Sequence, residues 1–137
     1  MSFPYVTAVT AGVLLVLQML LAFAVSGGRG QRAIWVGDGG NADMLRLARR
    51  HANLAENAGL FVAGFTLLEL SGWQPLVLQV LCAAFVVVRL AHAAGLSLAD
   101  TSNPFRLVGG VGTYLVGSVL GGALVWLSLG MTLGSHV

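Results

Sequence analysis

The sequence predicts an all-α integral membrane protein, a four-helix bundle of one domain. Three observations carry that prediction. Hydrophobic residues make up 57% of the 137 positions and charged residues only 9%, whereas a soluble domain carries about 25% charged residues. The mean hydropathy is +0.87. The apolar residues also fall into stretches that read as four helices, three of them near or above the roughly 20 residues that cross a bilayer and the second reaching that length only with the polar segment before it. Seven Arg, no Lys, three Asp and two Glu are too few to coat a water-facing surface. So apolar a chain is not disordered, and a single Cys rules out a disulfide framework or a Cys-rich metal site. No metal is expected, and the net charge of +2 rests on few groups, so it points to no nucleic-acid partner.

The first span, roughly 5–26, contains Val6 to Val25 without a charge. No Lys or Arg precedes it, and it is longer than a signal core, so it reads as a span and not as a cleaved signal peptide. Ser26 to Asp43 is Gly-rich and reads as a flexible polar loop. The second span, 43–71, is apolar from Leu60 to Leu70 apart from Glu69, and is long enough if Arg46 to Ala58 continue the same helix. Ser71 to Pro75 is a tight turn, with Gly72 at a helix stop and Pro75 at the next start. The third span, 75–96, is interrupted only by Arg89 and His92 in its last turns. Asp100 to Pro104 makes another turn, and the fourth span, 105–132, is uncharged from Leu107 to Leu133. Helices are the natural choice because backbone groups in lipid must bond within their own segment. The small-residue steps Gly117/Gly121 and Ser118/Gly122 predict close helix packing. Trp35 and Trp73 fall where an aromatic belt belongs.

Arginine placement predicts the topology. Arg29, Arg32, Arg46, Arg49 and Arg50 surround the first loop, and Arg89 and Arg106 flank the third. The termini and the turn at Trp73 have none. The positive-inside rule puts loops one and three in the cytoplasm and both termini outside.

The chemistry sits in polar groups where polar groups are expensive. On a helix, Arg46, Arg49, Asn53 and Glu56 share an arc of about 80°. His51 points nearly opposite. Arg89 and His92 share a face of the third helix, and Arg106 opens the fourth. Together these groups predict an internal net-positive pocket with one carboxylate and one amide. Plainer roles stand beside each. Arg46 and Arg50 suit interfacial anchors, Arg49 with Glu56 a structural ion pair, Arg89 with His92 a helix-end cation pair, and Arg106 a helix flank. Glu69 reads as interfacial and Cys82 as inert. Asn53 is harder to explain away, because an amide at membrane depth bonds across helices. The Gly37–Gly40 run is no phosphate loop, since no strand precedes it and no Gly-Lys-Ser/Thr follows.

The string RLARRHANLAEN from Arg46 to Asn57, with RLAHAAG from Arg89 to Gly95 and GDGGN from Gly37 to Asn41, resembles the MAPEG family, membrane-associated proteins in eicosanoid and glutathione metabolism, in its bacterial-type members. The resemblance covers nearly the whole chain. It implies a homotrimer of four-helix subunits in a bacterial inner membrane, holding glutathione as co-substrate near the cytoplasmic end between subunits. It implies that Arg49, Asn53 and Glu56 bind glutathione together with His92, and Arg46 and Arg89 are expected to bind it beside them. His51 matches a position that can reach a neighbour's site, and Arg106 matches the residue that activates the thiol. Arg29 or Arg32 could match a further arginine.

The expected activity is a microsomal-type glutathione transferase or peroxidase acting on lipophilic electrophiles, which reach the site from the membrane lipids. Asn57, Leu96 and Leu107 stand where some members have hydroxyl-bearing residues, which points away from eicosanoid synthesis. They keep open a non-catalytic protein of the same fold that binds an anionic lipid or other small anion. A transporter fits less well, because the ionisable groups cluster at one end.

Overall fold

The computed structural model describes residues 3–97 and 102–134. Its four helices are α1 (Tyr5–Arg32), α2 (Ala42–Leu70), α3 (Pro75–Ser97) and α4 (Pro104–Gly134). The protein is an all-α four-helix bundle built for a membrane. Part of the turn expected at Asp100 to Pro104 lies outside the described residues.

Three helices, α1, α3 and α4 through Gly130, are long and apolar enough to cross a bilayer. Large apolar side chains cover their outer faces: Leu15 is 61% exposed, Phe23 75% and Trp126 74%. A water-soluble monomer does not present so continuous an apolar coat. α2 has 29 residues, about 43 Å of helix against a hydrocarbon core of about 30 Å. Its length leaves the polar first turns room to lie beyond the hydrocarbon.

α1 runs further than the sequence suggests. The Gly-rich stretch from Ser26 is helical through Gly27, Gly28 and Gly30 and stops at Arg32. Tertiary contact explains this: a Cβ on Gly28 would lie 2.6 Å from Leu47 Cδ1, so the glycine lets α1 stay against α2. Arg29 and Arg32 in the last turn complement the negative end of the helix. Ala33 then turns the chain out of the helix with φ 52. Arg29 Nη1 donates to the carbonyls of Ile34 and Gly37 at 3.2 and 3.1 Å, which shapes the remaining short loop. Asn41 caps α2 by accepting from the amides of Asp43 and Met44, both at 3.0 Å.

Glu69 does more than mark an interface. Its carboxylate accepts from the backbone amides of Val6 and Thr7 at 2.9 and 2.8 Å. The N-cap residue of α1, Pro4, provides no side-chain hydrogen bond, so Glu69 caps α1 from the far end of α2. In the core, the Phe61 and Phe85 rings stack at 3.9 Å, and Phe65 meets Phe85 edge-on at 5.9 Å. These aromatics tie α2 to α3.

Candidate functional site

α3 and α4 form the most extensive helix pair, and their glycines set how close they come. A Cβ on Gly109 would lie 2.6 Å from the His92 Cα and N, and one on Gly95 would run into the Arg106 backbone. Each glycine thus receives the other helix at a residue of interest. Asn103 completes the joint: it is buried, its Nδ2 donates to the Gly95 carbonyl at 2.9 Å, and its Oδ1 accepts from the Arg106 amide at 3.0 Å. It is the N-cap of α4, with Pro104 at the first helical position. Arg106 is thereby held in the first turn of α4 beside His92.

α2 supplies the opposite wall. Arg46, Arg49 and Asn53 follow at the three- and four-residue steps that align side chains on one helix face. Behind them Arg89 is only 3% exposed. Its Nη1 donates to Thr113 Oγ1 at 3.0 Å, and its Nη2 donates to Asn53 Oδ1. Thr113 Oγ1 donates onward to the Gly109 carbonyl at 2.6 Å. With its oxygen turned to Arg89, the Asn53 amide has its N–H groups left for other partners.

These walls enclose a cavity of about 450 Å³, lined by Arg46, Arg49, Asn53, His92 and Arg106 with Leu45, Leu96, Gly110 and Tyr114. No Asp or Glu is among the described residues that line it. The His92 Nδ1 atom is buried without a hydrogen-bond partner. A second cavity of about 380 Å³ adjoins it, shares Arg106, Gly110 and Tyr114, and is otherwise lined mainly by apolar groups such as Leu107 and Val111.

Compared with known proteins, residues 7–126 match the model of the MAPEG family. The chain belongs to the MAPEG family. That family includes glutathione transferases and peroxidases as well as non-catalytic members. No curated protein and no solved structure matches the chain.

In this MAPEG chain the residues singled out from sequence fall into two groups. Arg46, Arg49, Asn53, His92 and Arg106 share one cavity. Glu56, His51 and Arg89 do not line it. Glu56 is exposed on α2, so the carboxylate expected inside the pocket is on the helix surface. His51 is half-buried, and its carbonyl accepts from Gln18 Nε2 at 3.5 Å. Arg89 stands behind Asn53. Arg29 holds the loop, and Arg32 pairs with Asp43 at 3.7 Å. Asn103, Thr113 and Tyr114 are site residues that the spacing did not single out. The Asn103-Pro104 pair before an apolar helix is a cap signature that points to the first of them.

The cavity fits a small anionic ligand. Four cationic or basic side chains and the Asn53 amide suit a ligand that carries carboxylates. Its volume is within the range of about 300–1,000 Å³ for small-molecule pockets.

Proposed function

We propose that this chain binds glutathione in the cationic cavity and either joins it through its sulfur to lipophilic electrophiles or uses it to reduce lipophilic peroxides, as a membrane glutathione transferase or peroxidase. The observation that carries the reading is the convergence of Arg46, Arg49, Asn53, His92 and Arg106 on one cavity, with no acid among the described residues that line it. Arg49 takes a carboxylate, since a guanidinium fork matches two oxygens, with Arg46 beside it. Asn53 donates to the peptide carbonyls. Glu56 lies two turns beyond Arg49 on the same face, about 10 Å along the helix, and takes the amine of a ligand that extends that way.

Arg106 is the thiol partner. A free thiol is only a few per cent ionised at neutral pH, and raising that to a majority takes about 2.7 kcal/mol of differential stabilisation. A guanidinium in direct contact with the sulfur favours the anion in this way. In conjugation the thiolate sulfur forms a bond to the electrophilic carbon, and the leaving group departs with the electron pair. In peroxide reduction the sulfur takes one oxygen and the alcohol leaves, and a second glutathione then yields the disulfide and water. The adjoining apolar cavity supports a lipophilic second substrate.

The working assembly in this reading is a homotrimer in a bacterial inner membrane, with loops one and three cytoplasmic and both termini outside. His51 would then serve a neighbour's site. Leu96, where some members have a tyrosine, lines the cavity and favours the second reading, a non-catalytic anion-binding member. Titration calorimetry with glutathione in detergent separates the two. Heat at or below millimolar ligand, with conjugation and thiolate ultraviolet absorbance lost in Arg106→Ala, supports the enzyme. No heat at millimolar ligand supports the alternative, and full activity in Arg106→Ala removes that residue from the mechanism.

A further inference from the structure

A separate small cavity of about 170 Å³ opens at the end of the bundle where α1 stops and α2 starts. Among the described residues, Arg32, Arg46 and Arg50 line it with one acid, Asp43. Asp43 is already engaged, by Arg46 and by Arg32 at 3.7 Å. Three described guanidiniums therefore face one described carboxylate. The Arg50 Nε atom is also buried without a hydrogen-bond partner. A buried donor left unmet is unfavourable, so the cluster calls for a further acceptor, and its excess of guanidiniums favours an anion.

Size and shape select the anion. The cavity is well below the roughly 300 Å³ at which small-molecule pockets begin, so it has no room for a tripeptide. A phosphate group is compact, and its oxygens match guanidinium forks in pairs. The surroundings select its carrier. In the adjacent loop Trp35 is 76% exposed and Val36 88%, and Leu45 on α2 is 46% exposed. Exposed apolar side chains with an indole, next to arginines at the end of the spans, mark the headgroup layer of a bilayer.

We propose that Arg32, Arg46 and Arg50 form a site for the headgroup phosphate of an anionic phospholipid. The site neighbours the larger cavity through Arg46, which lines both, but needs no thiol chemistry and stands whether or not glutathione is the ligand there. Native mass spectrometry of the detergent-solubilised protein tests it, with phosphatidylglycerol, phosphatidylcholine and inorganic phosphate as probes. Phosphatidylglycerol should be retained in preference to phosphatidylcholine. Arg50→Gln, a residue outside the larger cavity, should weaken that retention about tenfold, as expected for loss of a charged hydrogen bond, while glutathione titration stays unchanged. Arg32→Gln should act in the same direction and guards against a folding defect peculiar to the first variant. Equal retention of both lipids, or retention indifferent to Arg50 and Arg32, overturns the proposal. Arg50-dependent binding of inorganic phosphate without a lipid preference overturns the lipid assignment in favour of a soluble phosphate.

Discussion

At Asn53 one amide joins two jobs. Its oxygen accepts from the buried Arg89, and its nitrogen is thereby presented as a donor. Asn53→Asp keeps the acceptor for Arg89 but puts negative charge where a carboxylate ligand is expected. Glutathione affinity should fall about tenfold or more with the melting temperature maintained, measured by calorimetry and thermal unfolding in detergent. Asn53→Ala should lower both, because it leaves Arg89 short of an acceptor, at about 1–3 kcal/mol. Equal behaviour of the two variants would mean that Arg89 does not orient the amide. Thr113 belongs to the same chain of bonds, which is why a threonine in an apolar helix is buried there.

Between elements, contact depends on a few backbone positions. Gly109 receives the His92 backbone, whereas nothing among the described residues lies within 4 Å of a Cβ at Gly121. Gly109→Ala should therefore cost about 1–3 kcal/mol through overpacking and pull His92 away from Arg106, with a lower melting temperature and weaker ligand binding. Gly121→Ala should leave the fold of the chain intact. The step predicted from Gly117 and Gly121 is thus used within the chain only at Gly117, which meets the Phe61 ring. Glu69 works at the same scale, capping α1 from α2. Glu69→Ala should destabilise by about 0.5–2 kcal/mol, read as a lower melting temperature with glutathione binding preserved, since Glu69 is at the other end of α2 from the cavity.

For the whole molecule, the apolar coat and the arginine distribution make opposite claims on solvent, and a membrane satisfies both. The topology is tested by labelling single cysteines in a Cys82→Ser background. Val36→Cys should react with an impermeant maleimide only from the cytoplasmic side, and Gln74→Cys only from the outside. Reversed labelling would invert the orientation and expose the cationic cavity to the other compartment.

Hydropathy determined that this chain is a helical membrane protein, because lipid leaves the backbone no other partner and three of the apolar stretches have the length of a bilayer. Helical periodicity likewise brought Arg46, Arg49 and Asn53 to one face, since i+3 and i+4 neighbours align whatever surrounds them. Only the packed structure decided what lies across from that face. Spacing within one helix says nothing about the glycine notches that seat Arg106 beside His92, about Arg89 turning inward behind Asn53, or about Glu56 staying outside the cavity. It also could not show that the helix runs on through Gly27, Gly28 and Gly30, where the contact of Gly28 with α2 holds a segment of weak local preference. Those outcomes depend on distances between segments far apart in the chain, which are set when side chains compete for the same space.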